Sequence, residues 1–141
     1  MNSDLEKAIK TLSAGGFTFA AVRDEDTLTS SQRGVKPLLD LIDSGSTLSR
    51  FSVADRVVGR AAAFLYVLLG TRCVHANIMS SPAKAVFEKF NIPCSCNEEV
   101  AAIRNREGTG FCPMESAVMD IDDPNEAELA VRRRLRELTN K

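Results

Sequence analysis

The longest apolar run of the chain lies within Ser52-Val-Ala-Asp-Arg-Val-Val-Gly-Arg-Ala-Ala-Ala-Phe-Leu-Tyr-Val-Leu-Leu-Gly70. Ser52 and Asp55 are spaced as in a capping box, with Asp in place of Glu, which predicts that a helix begins there. From Ala61 to Leu69 this helix is apolar on every face, and a soluble helix of that kind is buried on all sides. We therefore expect a central helix packed against a sheet and flanking helices.

The segments on both sides of this helix alternate between strand and helix patterns. Periodicity and end signals predict helices over residues 4–13, 34–43, 82–91, 98–104, 113–119 and 125–138, and strands over residues 17–22, 27–30, 72–79 and 92–96. Ser3 is the predicted N-cap of the first helix, and residues 17–30 are predicted to form a hairpin. This alternation is typical of an α/β sandwich with parallel strand pairs, built as one domain over residues 1–141.

Composition and charge argue against several classes of function. The 141 residues carry 18 Lys and Arg against 19 Asp and Glu, a net charge of −1, which argues against nucleic-acid binding by a basic surface. No segment approaches the roughly 20 apolar residues of a membrane helix. The charged start of the chain lacks the order of a signal peptide. The sequence thus indicates a soluble, cytoplasmic protein with no membrane contact.

The four cysteines and the single histidine give little support for a metal site. Cys94 and Cys96 are separated by one residue, which differs from the C-x-x-C spacing of redox motifs and zinc sites. His75 lies in a strand-like run, where a hydrogen-bonded histidine is commoner than a metal ligand. We therefore predict free thiols, no metal and no cofactor.

The densest group of unusual residues is Asn105-Arg-Glu-Gly-Thr-Gly-Phe-Cys-Pro-Met-Glu115. Two glycines around a threonine permit unusual backbone angles and leave amides open to a ligand. Cys112 is predicted to cap the helix that follows, where the helix dipole favours thiolate, and Glu115 to reach back to the Cys112 amide. Two interpretations stay open: an anion or nucleotide loop beside a reactive Cys112, or a tight turn and a capped helix with an inert thiol.

A second candidate is Asp55-Arg-Val-Val-Gly-Arg60. Gly59 inside a helix costs about 1 kcal/mol relative to Ala, so close approach by a neighbouring helix or a ligand would explain it. Arg56 and Arg60, on one helix face, are placed to clamp a phosphate or carboxylate, with Asp55 as an acid or base. In the alternative interpretation Asp55 is only a cap and both arginines are solvated.

Together the two motifs resemble those of a known family. Asp55-Arg-Val-Val-Gly-Arg-Ala-Ala-Ala63, followed by Asn105-Arg106-x-Gly108-Thr-Gly110-x-Cys112-Pro-Met-Glu115, is similar to the domain of unknown function 1893. This is an uncharacterised bacterial and archaeal family placed within the cytidine-deaminase-like fold. The resemblance covers nearly the whole chain and implies a three-layer α/β/α sandwich around a mixed sheet.

The residues do not match the zinc site of a cytidine deaminase. The predicted central helix lacks a His followed closely by Glu, and residues 80–85 contain no cysteine. A zinc deaminase would need displaced ligands, drawn from Cys94, Cys96, Cys112 and His75. Other branches of this fold have lost zinc and bind a nucleotide-like ligand in the equivalent cleft. By that analogy the cleft lies between the start of the central helix and residues 108–115.

The first hypothesis is therefore a metal-free site for a small molecule, nucleotide-like in character. In an enzyme, Cys112 would be the nucleophile, or Asp55 or Glu115 would transfer a proton. The predicted ligand-binding residues are Gly59, Arg60, Asn105, Arg106, Gly108, Thr109 and Gly110. The alternative hypothesis is a non-catalytic binding or regulatory module in which Cys112 is redox-sensitive.

The last predicted helix offers a surface for association. Leu129, Leu135 and Leu138 are predicted on or near one face of it, which would allow a homodimer. Its arginine run, residues 132–136, more often marks a solvated helix face than an RNA or partner contact.

Overall fold

A computed structural model describes residues 2–104, 110 and 112–139 of the chain. Six helices lie in this part: α1 Ser3–Ala14, α2 Lys36–Asp43, α3 Arg60–Leu68, α4 Ser81–Lys89, α5 Pro113–Val118 and α6 Pro124–Thr139. Five strands lie there as well: β1 Phe19–Arg23, β2 Asp26–Ser30, β3 Ser52–Val58, β4 Cys73–Ser80 and β5 Cys94–Val100. None of these helices combines the length and the apolar character needed to cross a bilayer.

The strands form one mixed sheet in the order β2-β1-β3-β4-β5. β1 pairs antiparallel with both β2 and β3, whereas β3, β4 and β5 run parallel. β1 and β2 are the predicted hairpin, and each parallel crossover passes through one helix, α3 or α4. The predicted α/β class with parallel strand pairs is thereby confirmed.

Helices cover both faces of the sheet, as the three-layer prediction requires. Ala20 and Val22 of β1 pack with Ala8 of α1. Phe19 and Ala21, the alternate residues of the same strand, join the main core together with residues of α3 and α4. Because successive strand side chains point to opposite faces, α1 lies on one side of the sheet and α3 and α4 on the other. α3 also contacts α2, α5 and α6, which explains why its sequence is apolar all round.

The segment before α3 is a strand, so the prediction of one helix beginning at Ser52 was wrong in its first part. β3 is paired on both sides, with β1 and with β4, and three of its seven residues are valines, whose branched side chains suit a sheet. Pairing in the middle of the sheet therefore outweighs the capping-box spacing. The hydroxyl of Ser52 is buried and donates to Asn2 Oδ1 at 3.2 Å instead of capping a helix.

The helix predicted over residues 98–104 is absent from the residues described there. Glu98 and Val100 pair with Ile78 and Ser80 of β4, so this part of the chain continues β5 along the sheet edge. Residues 101–103 follow without a helix. Strand pairing again replaces a helix that local sequence alone would allow.

The last helix docks through a different face from the one its leucines suggested. Pro124, Ala127 and Val131 are its buried residues, while Leu129 is 64% exposed and Leu138 is 39% exposed. Small side chains at this spacing let α6 approach α3 closely, and Leu135 packs at the edge of the same core. A homodimer through this helix stays a prediction.

The N-cap of α1 is Asn2, not the predicted Ser3. Asn2 Oδ1 accepts a hydrogen bond from Leu5 N at 2.7 Å and another from the Ser52 hydroxyl. We expect Asn2→Ala to lower the free energy of unfolding by about 1–2 kcal/mol, because both bonds are lost. Ser3→Ala is the matched control and should change it by less than about 0.5 kcal/mol. Urea unfolding at pH 7 measures both, and equal effects would contradict the assignment.

Candidate functional site

A cleft of about 400 Å³ opens beside the carboxyl end of β3. β3 is the first of three parallel strands, and ligands of open α/β sheets commonly bind outside the carboxyl ends of such strands. The apolar part of the lining comes from strands, loops and three helices, and includes Phe19, Val35, Leu38, Val57, Ala62 and Met114. The cleft has the size and the apolar walls of an ordinary small-molecule site.

Asp55 and Tyr66 form a hydrogen-bonded pair on the wall of this cleft. The Tyr66 hydroxyl, from the second turn of α3, donates to Asp55 Oδ2 at 2.5 Å. Asp55 Oδ1 accepts a weaker bond from Val57 N at 3.3 Å. The strand direction of β3 turns the Asp55 side chain toward α3, so the change from predicted helix to strand is what creates this pair.

Burial sets the proton affinity of both members of the pair. Loss of water around the carboxyl group raises the pKa of Asp55 from 3.8 to about 6, although the hydrogen bonds from Tyr66 and Val57 oppose the shift. Burial and the adjacent carboxylate raise the pKa of Tyr66 well above its usual value of 10. Near neutral pH Asp55 therefore exchanges its proton readily, while Tyr66 keeps its own.

Glu115 caps α3 from another part of the chain. Its Oε1 accepts from Arg60 N at 2.6 Å and its Oε2 accepts from Ala61 N at 3.0 Å. The prediction that Glu115 would reach the Cys112 amide was wrong, because that amide donates to Ile103 O at 3.0 Å. Burial raises the pKa of Glu115, and the two amides act in the opposite direction.

Gly59 is the residue that allows this contact. It is the N-cap of α3 and has an extended backbone, so the predicted position inside a helix was wrong. A Cβ at Gly59 would lie 2.3 Å from Glu115 Oε1, which is far closer than any real contact. The predicted reason for the glycine, close approach by a neighbour, is correct, and that neighbour is the Glu115 carboxylate.

Arg60 stabilises the fold and is not among the residues that line the cleft. Its Nε donates to Val118 O at 3.1 Å, and its Nη2 donates to Ile121 O and to Asp122 Oδ1. These bonds tie α3 to the end of α5. The prediction that Arg56 and Arg60 share one helix face was wrong, since Arg56 belongs to β3 and only Arg60 belongs to α3.

Cys112 lines the cleft as a half-buried free thiol at the N-cap of α5, the predicted position. Gly110 is half-buried and is not among the residues that line the cleft. The other predicted binding residues of this loop, Asn105, Arg106, Gly108 and Thr109, lie outside the described residues.

The residues proposed as displaced zinc ligands lie in other surroundings. His75 is buried, with Nδ1 2.8 Å from Ser95 Oγ, and burial lowers its pKa. Cys94 is half-buried on β5, where loss of solvent raises its pKa. In the part of the chain that the structure describes, no three His, Cys, Asp or Glu side chains are grouped to hold a metal ion.

Sequence reasoning missed Tyr66 and Arg33, which both line the cleft. Tyr66 is the only tyrosine of the chain and stands in an otherwise apolar helix. Because a buried tyrosine hydroxyl needs a hydrogen-bond partner, that position was a usable signal. Arg33 lies in the loop before α2, and nothing in its local sequence points to a site.

These features define an α/β sandwich protein with an acid–tyrosine pair in an apolar cleft. The chain belongs to the family of the domain of unknown function 1893 (DUF1893, TM1506), whose model matches residues 7–135. It is also similar to the crystal structure of a DUF1893 family protein, TM1506, from Thermotoga maritima. The two chains are 25% identical with a TM-score of 0.84, over 97% of this chain and 92% of the other. No curated protein matches the chain.

The family resemblance inferred from the two motifs is thus confirmed, as is the α/β sandwich. The narrower assignment to the cytidine-deaminase-like fold stays a prediction.

Proposed function

We propose that the cleft binds a small molecule and that Asp55 transfers a proton to or from it. The observation that carries the proposal is the Asp55–Tyr66 pair, which puts a carboxyl group with a pKa of about 6 on the wall of a ligand-sized cleft. A general acid or base is most effective when its pKa lies near the working pH. Asp55 has that property because it is buried.

The two members of the pair have separate roles. Tyr66 is a positioning residue: its hydroxyl holds Oδ2 and fixes the plane of the carboxyl group. Oδ1, which accepts the longer bond from Val57 N, is the atom that takes the ligand's proton. When Asp55 acts as the acid, the same oxygen returns that proton, and the Tyr66 proton stays in place throughout.

Asp55 is better placed for this role than the other two predicted catalytic residues. Both carboxylate oxygens of Glu115 are engaged by the amides of α3. Cys112 contributes a free thiol to the same cleft, and its role as a nucleophile is a separate question for experiment.

The proposed ligand is nucleotide-like. The support is the predicted cytidine-deaminase-like fold, in which metal-free branches bind such ligands in the equivalent cleft. A cleft of about 400 Å³ falls in the usual range of roughly 300–1,000 Å³ for small-molecule sites.

Proton NMR in D2O at pH 7 tests the proposal with a panel of nucleobases, nucleosides and nucleotides. We expect the protein to perturb the resonances of at least one compound on binding and to convert that compound with time. Asp55→Asn should still bind it but slow the conversion by about 100-fold or more, because the proton acceptor is lost. Tyr66→Phe should slow the conversion less than Asp55→Asn does, because the carboxyl group of Asp55 remains. Asp40→Asn, on the exposed side of α2, is the matched control.

The results of this experiment distinguish proton transfer by Asp55 from the alternative functions of the cleft. Binding without conversion would support the non-catalytic binding module, and absence of binding to every compound would contradict a nucleotide-like ligand. If Cys112→Ser slowed the conversion as much as Asp55→Asn does, the result would assign covalent chemistry to the thiol.

A further inference from the structure

Two arginines line the cleft. Arg33, in the loop before α2, and Arg56, on β3, are both exposed. Arg56 Nε donates to the backbone oxygen of Phe17. Among the described residues, neither guanidinium forms an ion pair.

In the described part of the chain, the two acids of the cleft are not paired with these arginines. Asp55 is bonded to Tyr66 and Val57 N, and Glu115 to the amides that begin α3. Other arginines do pair with acids: Arg23 with Asp26, Arg60 with Asp122, and Arg132 with Asp43 and Glu128. The two cleft arginines therefore keep guanidinium N–H donors that no carboxylate of the described chain accepts.

The rest of the cleft wall is largely apolar, with Phe19, Val35, Leu38 and Met114 among its residues. A wall of this kind binds the apolar body of a ligand, whereas a guanidinium recognises a carboxylate or phosphate through paired hydrogen bonds. The combination matches a molecule that carries both parts.

We propose that the ligand is an amphipathic anion, with an apolar body against the cleft wall and a carboxylate or phosphate bound by Arg33 and Arg56. This inference rests on the proposed function and narrows its ligand class. Binding of the anion at the arginines holds the body of the ligand beside Asp55, so that charge recognition and proton transfer use different parts of one molecule.

Titration of two matched probe pairs tests the proposal by ¹⁵N–¹H NMR of the full chain. The pairs are uridine 5′-monophosphate with uridine, and 2-naphthoate with 2-naphthamide. The amides of Val35 and Val57 report binding in the cleft. We expect the charged member of at least one pair to bind about 10-fold tighter than its neutral partner, and added NaCl to weaken only the charged member. The pair that shows the preference identifies phosphate or carboxylate as the anion.

Variants of the two arginines test which residue causes the preference for the anionic probe. Arg33→Gln should lower the affinity for the anion about 10-fold and leave the neutral partner unchanged, and Arg56→Gln should act in the same direction. The Arg33 side chain is exposed and has no ion pair with the described residues, so its variant should not disturb folding. Arg72→Gln, an exposed arginine outside the cleft, is the control and should bind as the wild type does.

Equal affinities within both pairs, or an anion preference that survives in both arginine variants, would overturn the inference. If the neutral probes bind in the cleft and Asp55→Asn changes their conversion, the proposed function stands and only the anion inference fails. If none of the four probes binds, the anion inference fails, and the full panel of nucleobases, nucleosides and nucleotides decides the proposed function.

Discussion

Replacing Gly59 by alanine is expected to lower the free energy of unfolding by about 2–4 kcal/mol. The new Cβ would lie 2.3 Å from Oε1 of Glu115 and 2.4 Å from its Cδ. The carboxylate must then leave the amides of Arg60 and Ala61, which lose their partner at the start of α3. Alanine itself adopts the extended backbone of this position freely, so the clash accounts for the cost.

A double-mutant cycle separates this clash from other effects. Glu115→Ala alone should cost a similar amount, because the same two amides lose their acceptor. In the double variant there is no carboxylate to displace, so Gly59→Ala should add less than about 0.5 kcal/mol to the cost of Glu115→Ala. Urea unfolding at pH 7 of the four proteins gives the coupling, and additive costs would contradict the assignment.

The second large effect is an increase in stability. Asp55→Asn is expected to raise the free energy of unfolding by about 1–2 kcal/mol at pH 8. Asn fills the same space and still accepts a hydrogen bond from Tyr66, but it places no charge in the buried wall. A residue that destabilises the fold and lines a cleft is typical of a functional site.

The pH dependence follows from the direction of the pKa shift. In the unfolded chain Asp55 loses its proton near pH 3.8, whereas in the folded protein it holds the proton up to about pH 6. Between these values the folded state binds more protons, so the stability of the wild type falls as the pH rises and levels off above about pH 6. The full pKa shift of Asp55 corresponds to about 3 kcal/mol of stability. The gain measured in Asp55→Asn is smaller, because water in the cleft weakens the effect of burial and because the substitution removes one acceptor oxygen.

Unfolding of wild type and Asp55→Asn from pH 3.5 to pH 8 measures this difference, which should be near zero at the acid end and grow to its plateau above pH 6. Glu115 titrates in both proteins, so subtraction isolates Asp55. The control Asp40→Asn, on the exposed side of α2, should stay within about 0.5 kcal/mol of the wild type at every pH. A difference that does not change with pH would contradict a raised pKa for Asp55.

Much of the fold could be predicted from local patterns. The run from Ala61 to Leu69 identifies a buried helix, and the alternating segments around it identify an α/β sandwich. β3 could not be predicted in the same way, because the spacing of Ser52 and Asp55 is also that of a helix cap. Pairing with β1 and β4 decides between strand and helix there, and such long-range pairing leaves no local signature.

The candidate site could be predicted only in part, because its tertiary contacts also leave no local signature in the sequence. Asp55, Gly59, Cys112 and Glu115 were singled out by residue type and spacing, and all four line the cleft. The partners of these residues depend on tertiary contacts: Tyr66 binds Asp55 across the β3–α3 connection, and Glu115 binds a helix that begins 55 residues earlier. The role of Arg60 was misjudged because its carbonyl acceptors lie at the end of α5 and in the connection that follows it, far from Arg60 in the sequence.

The cap that Glu115 provides to α3 also orders events during synthesis. The amides of Arg60 and Ala61 leave the ribosome 55 and 54 residues before the carboxylate that binds them. A nascent chain that ends just after Val100 already contains the five described strands and all of α3, but not the cap of that helix. Because domains are made from the N-terminus, the cleft gains the lining residues Cys112, Met114 and Glu115 only after the five strands have been made. A truncated translation product would thus carry Asp55 without an enclosed site around it.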